Sequence, residues 1–450
     1  MTAPNKEDAA EYVAEYVAPR HWWRWIVALA ALGFAIRLAF VVLVTRFDEP
    51  VGDQLFYSAQ ALANAEGRWF EQPFLRGAPA ADHPPLTALI LTPVTWIAEQ
   101  WPGLGISLVN MQRLFMALLG SVGVVVMGFI GRVIGDQRVG FIAAGITAIY
   151  ANIWVNDGLL MAETPTFLIV SIFLLVALRY HRQPHRYSGV ALGGLAGLAA
   201  LTRPELVAIL PLLLIFLWLT RTTSQSSFRN GLGLGSVVVA SWMMVVLPWV
   251  LWNNVRFAAP VFLSTNDGLT LAGGHCDQTY YNDVGGWDIW CAYATQIPDG
   301  EDAAQASQRM RDDGLSYWRN NIDRYPIVAS ARVARVLSIG YVGANARAAL
   351  SEGRPLWVSH LGTIQYWLLI PAAVIGWKRM VCRIDRWLLT AALPLIVVVA
   401  MVANAYVRFR LPAEIGIVAL AALGLRVRVT GFEWSRLGRG VRWRSTSAKA

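Results

Sequence analysis

Charge is scarce in this chain. Charged residues make up 15% of its 450 positions against 56% hydrophobic, which excludes an ordinary soluble protein, and the apolar residues are too unevenly spread for one large core. The first 20 residues lack the pattern of a cleavable signal, being mixed in charge and containing Glu11 and Glu15. What positive excess there is, a formal +9, sits in short connections and at the C-terminus, where it orients a membrane protein; this argues against a nucleic-acid partner.

What is present instead is a succession of apolar runs, each near the length that crosses about 30 Å of hydrocarbon, where a helix satisfies its own backbone hydrogen bonds. The expected fold is an all-α polytopic membrane protein. Spans are expected at about 25–44, 108–130, 139–155, 163–178, 188–202, 204–219, 231–250, 357–377, 387–404 and 411–425, about ten transmembrane helices in all. Leu86 to Ile97 is too short for an eleventh span and reads as a surface or partly inserted helix.

Basic residues set the orientation. Arg20 and Arg24 precede the first span and acidic residues follow it; Arg132 with Arg138, the 179–187 connection, Arg221 with Arg229, Lys378 to Arg386 and the C-terminal arginines then all fall on one side. The expectation is a plasma-membrane protein with both termini cytoplasmic. Its expected organisation is an N-terminal transmembrane module over 1–251 with a first external loop at 46–107, a large external loop over 252–356 with an interfacial helix, C-terminal transmembrane helices over 357–426, and a basic cytoplasmic tail over 427–450.

The three cysteines test the same topology. Cys276 and Cys291 share the large external loop, where an oxidising exterior permits a disulfide, whereas Cys382 falls in a cytoplasmic connection. Cysteines divided between two compartments are not expected to build a metal site.

The informative polar stretch is Asp48 to Pro85. Asp53 follows Gly52 at the start of a short helix that also carries Tyr57, and it reads either as that helix's N-cap or as a proton acceptor. Glu163 opens the fourth span and Asp157 lies at the mouth of the third. A carboxylate at such depth needs a polar cavity or a partner, although Glu163 also suits a helix N-terminus. His83 stands before Pro84 and Pro85, as a turn residue or as a ligand of phosphate, sugar or metal. Arg203, Arg408 and Arg410 lie on the outer side against the charge bias, and Arg332 and Arg335 lie in an amphipathic stretch of the large loop. All five read either as interfacial or packing arginines or as phosphate-binding forks. Arg37, inside the first span, needs a loop carboxylate as partner.

In their order these elements resemble the GT-C membrane glycosyltransferases, nearest to glycosyltransferase family 39, the bacterial protein mannosyltransferase relatives and the aminoarabinose-transferase-like proteins. The resemblance rests on Gly52-Asp53 followed by Phe56 and Tyr57, on His83-Pro84-Pro85-Leu86, on Glu163, on Arg203-Pro204, and on Arg408-x-Arg410-x-Pro412. It implies a GT-C type bundle with external juxtamembrane helices. It also implies an inverting transferase that takes a sugar from a polyprenyl-phosphate donor to an envelope glycan, lipid or protein, with Asp53 as base and Glu163 as its acidic companion. Tyr57, His83, Asp157, Arg203, Arg332, Arg335, Arg408 and Arg410 are then substrate-binding candidates. A divalent cation stays open, with no certain cofactor. The cysteine-bearing loop at 268–291 is similar to that of actinobacterial envelope members. Gln54 departs from relatives that carry a second acid after the aspartate. The competing readings are a transporter or lipid flippase and, behind it, a glycan-binding membrane protein using aromatics such as Trp69, Trp287, Trp290 and Trp318.

Overall fold

The computed structural model describes residues 20–101, 103, 105–183, 185, 187–222 and 228–426. The expected basic tail at 427–450 and the acidic N-terminal residues lie outside them. Helices supply nearly all regular structure, and among the described residues β pairing is confined to one isolated bridge between Glu71 and Pro79.

Among the described residues, six helices are long and apolar enough to cross a membrane: His21–Thr45, Leu108–Ile134, Glu163–Arg182, Gly233–Arg256, Leu356–Arg379 and Arg383–Val402. The pair Gln137–Ile149 and Ala151–Gly158, bent by 50°, makes a seventh if it counts as one broken span. The chain is an all-α polytopic membrane protein, but ten full-length spans do not follow. Ser188–Ala200 has 13 residues and Leu411–Gly424 has 14, so at 1.5 Å per residue each reaches only about 20 Å. Apolar composition in a helix has two causes, contact with lipid and burial within protein. Leu411–Gly424 is apolar because it is walled in by protein, with every residue from Leu411 to Leu423 buried.

This short helix is the centre of the bundle. Backbone meets backbone along it: a Cβ at Gly416 would stand 1.8 Å from the Leu389 carbonyl, and one at Gly376 the same distance from that of Leu420. Such close approach lets Leu356–Arg379 and Arg383–Thr390 pack directly on it. The glycines of Ser188–Ala200 act alike toward Phe228–Arg256, where a Cβ at Gly193 would meet the Val238 carbonyl at 2.3 Å.

Leu86–Gln100 packs beside Asp53–Ala65 and is not among the long apolar helices. The expected interfacial helix forms as Tyr325–Val336, but its arginines turn inward: Arg332 and Arg335 are both buried, and the helix packs on Ala392–Val402. Cys276 and Cys291 are joined in a disulfide, and Cys382 is free. Replacing Cys276 and Cys291 by serine is expected to lower unfolding free energy by about 3 kcal/mol, the cost of releasing a loop of this length. A melting curve should show the loss, and reductant should reproduce it in the wild type while leaving the double variant unmoved.

Candidate functional site

Three carboxylates from separate segments converge on a single guanidinium at one end of the bundle. Arg408, in the 3-10 turn Val407–Arg410 that feeds the central helix, places Nη1 2.7 Å from Asp53 Oδ2 and 3.8 Å from Glu163 Oε1, and Nε 2.9 Å from Glu352 Oε1. Arg203, from the turn after Ser188–Ala200, pairs with Glu163 through Nη1 and with Glu205 Oε1 at 2.6 Å through Nε. Its guanidinium lies over the Phe409 ring at 4.2 Å. His83 Nε2 stands 3.5 Å from Asp53 Oδ1, with its ring 4.8 Å from that of Tyr57 and 5.1 Å from that of Phe56.

Local structure explains why Asp53 points there. Gly52 takes φ +55 and ψ −129, a conformation that suits only glycine, and it reverses the chain into the helix so that Asp53 is the first helical residue. No side chain caps this helix, so the N-cap reading of Asp53 gives way to an inward carboxylate. Glu163 likewise opens its helix without capping it and is fully buried, with Oε2 lacking any hydrogen-bond partner. Both carboxylates sit at the positive end of a helix dipole.

The charges are strongly coupled. Burial works against the Asp53 carboxylate, but Arg408, then His83 and Arg203, reverse this and hold its pKa well below the usual range. Glu352 goes the other way: burial raises it to about 7 despite Arg408, with Asp53 and Glu163 adding repulsion. A raised carboxyl contributes stability in full below its unfolded value near 4.5 and loses it as pH rises toward 7. Glu352→Gln is therefore expected to melt at a pH-independent offset above the wild type near neutrality, the gap closing between pH 7 and 4.5 and worth a few kcal/mol at most. A melting series across that range checks it.

A small cleft opens beside Arg408, with Glu352, Arg354, Tyr406, Asn345 and Asn152 on its walls. A second, apolar groove runs between Glu163–Arg182, Ile209–Thr222 and the 387–395 segment, with Leu206, Pro412, Phe216 and Trp387 among its walls.

Of the residues named from sequence, Asp53, Tyr57, His83, Glu163, Arg203 and Arg408 come together. Four do not. Asp157 is buried against Arg37 at 2.5 Å and accepts from Thr164 Oγ1 at 2.7 Å, so it neutralises the arginine inside the first span and supports the site only through the residue next to Glu163. Arg332 donates to the Met401 carbonyl at 2.8 Å and to that of Gly274, and Arg335 pairs with Asp283 and donates to the Val284 carbonyl at 3.0 Å. Arg410 donates at 2.8 Å to Glu414, to the Val336 carbonyl and to Ser338 Oγ, above the Tyr366 ring. These arginines are occupied with closing the loop region onto the bundle.

Sequence reasoning missed Glu352. The only signal was an acid in the basic run before the Leu356–Arg379 helix. Gln54, which departs from relatives with paired acids, donates to the Glu352 carbonyl at 2.6 Å and so ties the first loop to the segment that brings in the further carboxylate.

Comparison with known proteins agrees with this architecture. Residues 82–252, short of half the chain, match the family model described as dolichyl-phosphate-mannose-protein mannosyltransferase. No curated protein matches the sequence. The Archaeoglobus fulgidus oligosaccharyltransferase in its apo form superposes with a TM-score of 0.53 at 14% identity, over 88% of this chain and 50% of that one. The same enzyme, in complex with an inhibitory peptide and a dolichol-phosphate, gives 0.52, also at 14% identity and the same coverage. The chain shares its fold with this archaeal oligosaccharyltransferase. It spans about half the length of the archaeal enzyme. ArnT from Cupriavidus metallidurans bound to undecaprenyl phosphate aligns over 90% of this chain and 78% of its own, at 17% identity and a TM-score of 0.41.

Proposed function

We propose that the chain is an inverting glycosyltransferase that moves a sugar from a polyprenyl-phosphate donor to an envelope glycan, lipid or protein at the extracytoplasmic membrane face. The observation that carries this is Arg408 held between Asp53 and two further carboxylates, Glu163 and Glu352, with Arg203 and His83 alongside. A proton acceptor thus adjoins a cluster of phosphate-seeking cations.

The acceptor hydroxyl oxygen attacks the anomeric carbon as the bond from that carbon to the phosphate oxygen breaks. The hydroxyl proton passes to the Asp53 carboxylate, and the phosphate departs on its lipid. Arg408 and Arg203 meet the charge that develops on the leaving phosphate. Asp53 is a weak base while Arg408 grips it. A donor phosphate that draws Arg408 away removes the largest charge holding its proton affinity down, so donor binding switches the base on. Glu163 keeps Arg203 in place, and the apolar groove lined by Pro412 and Leu206 suits an isoprenoid tail.

On this reading the short helices 188–200, 204–220 and 411–424 complete a ten-helix bundle, since a helix shielded by protein need not match the bilayer alone. The module 1–251 carries the first loop, 252–356 forms the cover, 357–426 delivers Arg408, and both termini face the cytoplasm. The test is the purified full-length chain with a panel of radiolabelled polyprenyl-phosphate sugars and envelope acceptors. Transfer with inverted linkage supports the proposal; donor binding with transbilayer movement and no new glycosidic bond favours the flippase reading. Labelling a cysteine placed at Leu55 with an impermeant reagent on intact cells tests the face, and protection there would reverse the orientation.

A further inference from the structure

The far end of the bundle holds a second constellation that the transferase chemistry leaves unused. His181, in the last turn of Glu163–Arg182, and Cys382 and Asp385, around the start of Arg383–Thr390, present one nitrogen, one sulfur and one oxygen within 4.8 Å of one another. His181 Nε2 lies 3.3 Å from Cys382 Sγ. Around a tetrahedral zinc ion, with Zn–S near 2.3 Å and Zn–N near 2.0 Å, the same two atoms stand about 3.5 Å apart. Asp385 is 4% exposed, and its Oδ1 has no hydrogen-bond partner while Oδ2 accepts from Arg182 at 2.7 Å. A buried carboxylate oxygen without a partner is costly unless something positive meets it.

We propose that His181, Cys382 and Asp385 bind one zinc ion or a similar thiophilic divalent cation. Cys382 needs no second cysteine, because the fold brings to it an imidazole and a carboxylate some 200 residues away from one another in the chain. A thiolate and a carboxylate neutralise the dication. Arg182 opposes it with its own charge but holds Oδ2 of Asp385, the orienting role that outer partners of metal ligands commonly play. The fourth position is left to water. Glu163 and His181 stand 18 residues apart on one helix, about 27 Å at 1.5 Å per residue, so the metal lies far from Asp53. It clamps the helix that begins with Glu163 to the helix pair Arg383–Thr390 and Ala392–Val402, whose other end leads into Arg408.

Chelator-stripped, untagged full-length protein in detergent should take up one equivalent of Zn²⁺ by calorimetry and elemental analysis. Co²⁺ in its place should show thiolate-to-cobalt charge transfer. Cys382→Ser should abolish that band and weaken Zn²⁺ by at least the roughly 10–100-fold that loss of an outer partner alone costs. Asp385→Asn should weaken Zn²⁺ similarly while keeping the band. Melting of the wild type should rise with Zn²⁺ and that of Cys382→Ser should not. Binding that survives both substitutions, or no binding in wild type whose disulfide and elution are normal, would overturn the proposal.

Discussion

Asp53→Asn is expected to lower sugar transfer by roughly two to four orders of magnitude, the range spanned by loss of a positioned general base. The amide keeps the shape and can still accept from Arg408, but it cannot take the acceptor proton. Donor affinity should hold or tighten, because the variant leaves Arg408 less engaged and freer for phosphate. The signature is therefore a fall in turnover without a matching rise in the donor KM, read by single-turnover transfer from the preferred labelled donor. Turnover within a few fold of wild type would remove Asp53 from the base role. A parallel loss of donor binding would instead make it a positioning residue for the cations.

Arg408→Gln should be the most damaging single change at the site. It leaves Asp53, Glu163 and Glu352 facing one another without the cation they share. Removing one partner from a buried ionic cluster costs about 3–5 kcal/mol, and loss of one charge-stabilising donor costs about 100–1000-fold in turnover. The stability part has a pH signature. Asp53, held low by Arg408, contributes stability above its unfolded value near 3.8 and loses it as pH falls through its folded value. The melting gap between wild type and Arg408→Gln should thus be widest near neutrality and narrow in acid, as the carboxylates protonate. Arg408→Lys should recover much of the stability and little of the transfer, since an ammonium point charge cannot span three carboxylates as a planar guanidinium does. A gap that widened in acid would contradict the charge-sharing account.

The arginines show where one-dimensional reading stops. Arg203, Arg332, Arg335, Arg408 and Arg410 looked equivalent, each a cation on the outer side of an apolar protein. They diverge because of which carbonyls and carboxylates lie opposite each one. The carbonyls at 401–402 and 274 absorb Arg332, Asp283 and the Val284 carbonyl absorb Arg335, and Glu414, one helical turn along, absorbs Arg410. Glu414 was visible as an i, i+4 partner of Arg410 and carried the signal that this arginine was already satisfied. Nothing comparable near Arg332 announced that it would bind loop carbonyls.

What this sequence determined alone is what depends on local or cumulative physics: a membrane-spanning helical chain, from its apolar runs; the start of the first-loop helix, from Gly52; and a pool of acids and arginines, Asp53, Asp157 and Glu163 with Arg203, Arg332, Arg335, Arg408 and Arg410, whose desolvation demands partners. Tertiary structure alone decided which partners those are. Glu352 and Asp53, some 300 residues apart, share Arg408, His181 meets Cys382 across 201, and Leu411–Gly424 proves to be core and not a full-length span. Ion pairing and burial depend on distance in space, and a carboxylate is tied to a distant guanidinium only once helices of unrelated sequence have packed around both.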